Sequence, residues 1–339
     1  LDAAGEGPER TPLMIVPATS LIEGHRHVMA LRNLVDANGA DIAPSDVWSD
    51  RLDRPDALTT EVIDGLSNAD LDAADMTIAW SFTVASGQSL SGRLRHMWDE
   101  TQADIDAEPP KLTVDSSTDS DTTRTVRGSF EVPNYLTGNG GPGESLNNDG
   151  DPDGIPKRNG SLTSEFLCML PTGGAPAPVV LYGHGLLGSR DEALSIGAVG
   201  ASAGIAFCAI DWIGMSTADV PTVVEVLGEL GGFKALPDRL QQGHLAWLVL
   251  GHLLAQPASL EGVPAFLAAD DSPLIDSKEI SFLGASQGGI LGGVSSALSS
   301  DWTQVILAVP GLGYNLLLPR SIDFDEFAPE LEKSYPDPL

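Results

Sequence analysis

The chain of 339 residues is long for one hydrophobic core and comfortable for two domains, and its 42% apolar residues suffice to build them. Its charge is one-sided: 18 basic against 48 acidic residues leave a formal net charge of -30, so nucleic acid and anionic membrane surfaces are both repelled as partners. No apolar run reaches the length of a transmembrane segment.

Residues 1–110 read as a separate β-rich domain with short helices. Arg26–Arg32 is strand-like, and the Asn38-Gly39 pair after it marks a tight turn. Asp56 caps a short helix over 56–66, and Met76–Val84 is rich in β-branched and aromatic residues, as strands are. Arg93–Glu100 forms a helical connector, and the polar, acidic stretch 111–124 reads as a linker. From residue 125 to 339 the pattern changes. Thr125–Val132 is a strand, and 137–160 is almost all Gly, Asn, Asp and Pro, which excludes regular structure. Strands at 164–170, 179–182, 205–210, 280–284 and 304–309 then alternate with helices at about 191–202, 238–255 and 287–299. That order predicts βαβ units on a mostly parallel sheet.

The chemistry concentrates at Gly284-Ala285-Ser286-Gln287-Gly288. This G-x-S-x-G motif follows an apolar strand and opens a helix, the setting of a nucleophile elbow. Ser286 is the candidate nucleophile, with Gly284 and Gly288 permitting the sharp turn and close packing. Acyl transfer also needs donors for the tetrahedral oxyanion. The backbone N–H of Gln287 at the helix start is one, and that of Leu186 is the other. Leu186 lies in the glycine-rich loop Gly183-His184-Gly185-Leu186-Leu187-Gly188 that follows the strand at 179–182. His184 sits in that loop rather than where a base would be, and His244 and His252 read as packing residues of a helix. Trp212, Met215 and Tyr314 are candidate pocket residues, with ordinary core packing the competing reading. In the long loop, Asp149-Gly150-Asp151-Pro152-Asp153-Gly154 has the D-x-D-x-D-G opening of a calcium loop, and Asn147 could add an oxygen. The usual glutamate is absent because the twelfth position is Gly160, so a solvated acidic turn is the competing reading.

With its elbow at Gly284–Gly288 and its H-G-L-x-G loop at His184–Gly188, the chain resembles the α/β-hydrolase superfamily, especially bacterial secreted lipases and esterases with an amino-terminal β-rich domain. The resemblance implies an α/β-hydrolase core over 125–339, incomplete at its carboxyl-terminal part, with residues 310–339 as a lid. It also implies a serine carboxylesterase acting on small-molecule or lipid esters, secreted or held at the cell surface or in the periplasm, with no cofactor required. It places the strands bearing Cys168 and Cys208 side by side, within reach of a disulfide; two buried thiols are the alternative. One departure matters. In that superfamily the acid and the histidine follow the nucleophile, yet His25, His27, His96, His184, His244 and His252 all precede Ser286. The expectation is therefore that acid and histidine lie outside this chain, as on a second polypeptide. The rival expectation is a non-catalytic acidic binding or surface protein on a degenerate hydrolase scaffold.

Overall fold

A computed structural model describes residues 15–151, 154–173, 175–311, 313 and 317–336. The chain divides into two compact units between Ser91 and Gly92.

In the first unit, β1 (Arg26–Leu31) pairs antiparallel with β2 (Ile78–Thr83), in register from Arg26 opposite Thr83 to Leu31 opposite Ile78. Between them lie α1 (Asp46–Asp53) and α2 (Ala57–Ser67). Each helix starts where a side chain accepts a free first-turn N–H: Ser45 from Trp48, and Asp56 from Thr59 at 2.7 Å. Trp48, Val62, Leu66 and Met76 form the small core, and the Trp48 indole donates to the Ala73 carbonyl at 3.2 Å. This unit is less β-rich than expected. The Asn38-Gly39 turn does not open a hairpin of full strands, because Asp36 Oδ1 accepts from the backbone of Asn38 and Ala40 and curls the loop on itself. Only a single bridge, Val35 to Asp41, closes it.

Helix α3 (Gly87–Ala107) runs past the boundary into the second unit. The expected linker 111–124 is corrected by the structure: it contains β3 (Thr113–Asp119), which pairs antiparallel with β4 (Thr123–Pro133). β3 is polar because it is a sheet edge with most of its residues exposed, so it lacks the apolar alternation that would have marked it. β5 (Ser161–Pro171), β6 (Ala177–Gly183), β7 (Ala206–Ile210), β8 (Ile275–Ala285) and β9 (Gln304–Ala308) complete a seven-stranded sheet of order β3-β4-β5-β7-β6-β8-β9. The sheet is antiparallel from β3 through β5 to β7 and parallel across β7, β6, β8 and β9.

The parallel strands are linked by helices. α4 (Ala193–Ser202) joins β6 to β7. α5 (Val220–Gly228), α6 (Ala235–Ala255) and the short α7 (Pro257–Leu260) lie between β7 and β8, and α8 (Gln287–Leu298) joins β8 to β9. α9 (Ala328–Ser334) follows. The second half of α6 is largely apolar, and Leu245 to Leu250 are wholly buried, as a helix segment enclosed on every side must be. Its Trp247 packs against Trp212 with tilted rings (centroids 4.9 Å apart) and meets Phe282 of β8 edge-on at 5.6 Å, which fills the core directly beneath the end of β8. Cys168 of β5 and Cys208 of β7 are register partners with Cα atoms 4.1 Å apart, and they form a disulfide.

Candidate active site

The site lies where β6 and β8 end side by side. Ser286 follows the last residue of β8 and precedes α8, with φ 52° and ψ -119°. A non-glycine residue avoids that region unless its surroundings impose it. Here they do: the Ser286 N–H donates to the Ala308 carbonyl at 3.0 Å, and the Ser286 carbonyl accepts from Gly289 and Ile290 at 3.0 and 3.1 Å. The two glycines of the motif are required by close approach. A Cβ on Gly284 would fall 2.1 Å from the Gly288 carbonyl oxygen, and one on Gly288 would fall 2.1 Å from that of Gly183. Removing both lets α8 start against the ends of β6 and β8, which leaves Ser286 exposed at the turn.

The loop after β6 faces this turn. Leu187 has φ 48° and Gly188 N–H closes a turn onto the Gly185 carbonyl at 3.2 Å. Gly185 N–H donates to Glu192 Oε2 (3.1 Å), and Leu187 N–H donates to Gln287 Oε1 (3.4 Å). Neither the Leu186 N–H nor the Gln287 N–H donates to another described residue. The Gln287 side chain is buried and also donates from Nε2 to the Met215 carbonyl at 2.9 Å. It thus ties the loops after β6 and β7 to the elbow, a role its position in the motif did not signal.

Ser286 opens on a cavity of about 630 Å³ lined by Gly185, Leu186, Leu187, Val220, Ile322, Asp323, Glu326 and Phe327. Phe327 packs against Val223, Val226 and Leu236, and the Tyr335 hydroxyl accepts from the Leu230 N–H at 3.1 Å. So residues 322–335 lie over α5 and form one wall of the cavity, the place expected of a lid. A second cavity of about 650 Å³ lies at the far, amino-terminal ends of β6 and β8, among Pro176, Phe266, Ile275 and Lys278. It is remote from the elbow.

Other candidates fall elsewhere. Trp212 is not a pocket residue: it is wholly buried against Trp247, His244 and Phe282, because the strand before it delivers it under the sheet end. Met215 packs in the cluster beneath Phe327 and meets the site through its carbonyl. Tyr314 lies outside the described residues, as does Asp153. In the acidic loop Asp149 is paired with Lys157, and the Asn147 amide donates to the Lys157 carbonyl at 3.0 Å. Among the described residues no three His, Cys, Asp or Glu side chains group as a metal site.

The histidines are engaged away from the serine. His184 is wholly buried, and its Nε2 accepts from the Trp212 N–H at 2.8 Å. That assigns the proton to Nδ1, which donates to the Gly185 carbonyl at 2.9 Å. Burial holds its pKa below the ordinary value, so the ring is a neutral strut between β6 and β7. His244 Nδ1 is 2.9 Å from Ser295 Oγ. His252 lies between Asp301 and Asp106, 3.3 and 3.2 Å away, and His96 lies 3.7 Å from Glu100. His25 and His27 belong to the first unit.

No protein-family model matches the chain, and no curated protein matches it. Among solved structures it is similar to acetyl xylan esterase 1 from Thermoanaerobacterium sp. JW/SL YS485, at 15% identity and a TM-score of 0.41, over 70% of this chain and 65% of that one. It is also similar to an acetyl xylan esterase from Paenibacillus sp. R4, at 17% identity and a TM-score of 0.37, over 72% and 68% of the two chains. A cold-adapted esterase from an Arctic intertidal metagenomic library aligns at 15% identity and a TM-score of 0.30, over 64% of this chain and 72% of that one. The chain thus spans just under two thirds of the first of these proteins. With four parallel strands linked by helices, an antiparallel flank, and a serine at positive φ on the turn from β8 into α8, the second unit has the α/β-hydrolase fold.

Proposed function

We propose that this chain is the nucleophile-bearing part of a serine carboxylic-ester hydrolase. The observation that carries the reading is Ser286, held at φ 52° and exposed to a cavity beside two uncommitted N–H groups, those of Leu186 and Gln287. Ser286 Oγ attacks the ester carbonyl, forming the Oγ–C bond and moving the carbonyl π electrons to oxygen. The Leu186 and Gln287 N–H groups receive that oxyanion. A general base takes the Ser286 hydroxyl proton and passes it to the leaving oxygen as the acyl C–O bond breaks, so collapse expels the alcohol and leaves an acyl-enzyme, which water hydrolyses to free serine and the carboxylic acid. Leu186, Leu187, Val220, Ile322 and Phe327 give the cavity apolar walls for an acyl chain, while Asp323 and Glu326 disfavour an anionic one. No cofactor takes part. A structural calcium at Asn147, Asp149 and Asp151 is a separate proposal.

The general base is the remaining requirement. Ser286 makes no side-chain hydrogen bond at the helix start, and the histidines of this unit are occupied. We assign the acid and histidine to a polypeptide segment outside these 339 residues, on the same chain or another, that covers β9. Val305, Ile306 and Leu307 are exposed on that edge, Ile306 to 63%, although strands of a parallel sheet are normally covered on both faces. The disulfide fits an oxidising, extracytoplasmic compartment.

A fluorophosphonate serine probe, read by intact and peptide mass on the undenatured protein, tests the reading. An adduct on Ser286 with a histidine-bearing segment beyond these 339 residues, on the same polypeptide or another, supports it, and Ser286→Ala should then lower ester turnover by at least about 10⁴-fold. An adduct on Ser286 in a sample holding no histidine beyond these 339 residues retains the hydrolase and refutes the added segment. A folded protein with no adduct leaves the non-catalytic acidic scaffold as the reading.

A further inference from the structure

Three consecutive backbone N–H groups run along the loop after β6, and two of them are taken by side chains. The Gly185 N–H donates to Glu192 Oε2 at 3.1 Å, and the Leu187 N–H to Gln287 Oε1 at 3.4 Å. The middle one, of Leu186, has no described acceptor and lines the Ser286 cavity. We infer that Glu192 is a positioning residue for the oxyanion site: its carboxylate and the Gln287 amide fix the N–H groups on either side of Leu186, and so aim the third. The inference rests on the hydrolase reading above.

The loop needs holding. Leu187 sits at φ 48°, a conformation a leucine does not choose unaided. The loop also wraps closely over the carboxylate, since a Cβ on Gly188 would lie 2.0 Å from Glu192 Oε1. Glu192 is presented from a firm base. It ends the helical turn Arg190–Glu192 that leads into α4, and Ser189 caps that turn. Arg190 anchors the turn to Asp211 through both its backbone N–H and its guanidinium, each at 2.6 Å. From the other side, the Thr217 hydroxyl donates to the Leu187 and Gly188 carbonyls at 3.0 and 3.1 Å. What Glu192 supplies is an acceptor. Its negative charge works against a nearby oxyanion, so the two properties separate by substitution.

The experiment compares Glu192→Ala and Glu192→Gln with the unaltered protein, using a short-chain p-nitrophenyl ester for steady-state kinetics and the fluorophosphonate probe for Ser286 reactivity. Glu192→Ala is expected to lower kcat by about 10- to 100-fold with KM within about two-fold, because the misaimed donor acts on the transition state. Glu192→Gln retains an acceptor for the Gly185 N–H and is expected to restore kcat to at least the unaltered level. Near-ultraviolet circular dichroism of each variant reports whether it is folded. Equal kcat in Glu192→Ala and the unaltered protein, with Ser286 labelled in both, overturns the positioning role alone. A loss in both variants equally, with altered dichroism, also overturns it by showing a structural role. Absence of labelling in the unaltered protein overturns the hydrolase reading and this inference together.

Discussion

His244 is enclosed in the core, with Nδ1 2.9 Å from Ser295 Oγ, and burial pulls its pKa down to about 4. Burial lowers His184 as well. A histidine lowered in the folded state binds its proton more readily when unfolded, so these two destabilise the fold as pH drops below the ordinary value of 6.5. His252 has the opposite sign. The Asp301 hydrogen bond raises its pKa, so its contribution is full below the ordinary value and is lost as pH rises through the folded one. His244 alone should cost about 2 kcal/mol of stability between about pH 7 and pH 5. Urea unfolding at the two pH values should show that loss, and His244→Gln should reduce it; an unchanged difference in the variant would refute the assignment. At this scale the sequence was half legible. Ser286, Gly284 and Gly288 announce themselves by spacing, but the Gln287 side chain and Glu192 do not. The partners of Gln287 are backbone groups of loops far away in the chain, and that of Glu192 is the Gly185 N–H seven residues back, which only the curl of the loop brings to it.

Helix α8 and its strands show how closely an element can be set by two hydrogen atoms. A methyl group on Gly288 would meet the Gly183 carbonyl oxygen at 2.1 Å, whereas one on Gly293, further along the same helix, meets nothing nearer than Leu307 Cδ1 at 3.4 Å. Gly288→Ala should therefore destabilise by about 1–3 kcal/mol and abolish probe labelling, because α8 must retreat from β6. Gly293→Ala should be neutral or stabilise by up to about 1 kcal/mol through helix propensity. Equilibrium unfolding of the pair separates the two, and equal effects would falsify the close-approach argument. The apolar runs 179–182, 205–210 and 280–284 were readable as strands because buried parallel strands are continuously hydrophobic. β3 was not, since its Asp, Ser and Thr residues face solvent and only pairing with β4 makes them a strand. Trp212 misled for a related reason: a residue just past a strand end can turn outward or under, and composition does not distinguish them.

The whole molecule carries a formal charge of -30 over two units, each with its own core. Self-repulsion on that scale opposes compactness and is screened by salt. Raising sodium chloride from about 0.01 to 1 M shortens the screening length from about 30 to 3 Å. The melting temperature should climb across that range; a decline would mean that the exposed ion pairs, such as Lys157 with Asp149, outweigh the repulsion. The sequence places a break at the polar segment after residue 100, whereas the two compact units divide between Ser91 and Gly92. That boundary lies at the start of α3, where no proline or glycine cluster marks it.

The Cys168–Cys208 bridge also shapes how the chain would yield to force. The two residues face each other across antiparallel β5 and β7, 40 positions apart. Between them lie β6, the loop that bears Leu186, Glu192 and α4. A tension applied to the two chain ends would pass through the sulfur–sulfur link and bypass that whole stretch, so the fully drawn-out length would fall short by roughly 140 Å. While the rest of the polypeptide is being unravelled, the stretch with the loop after β6 would carry no load until a reductant cut the link.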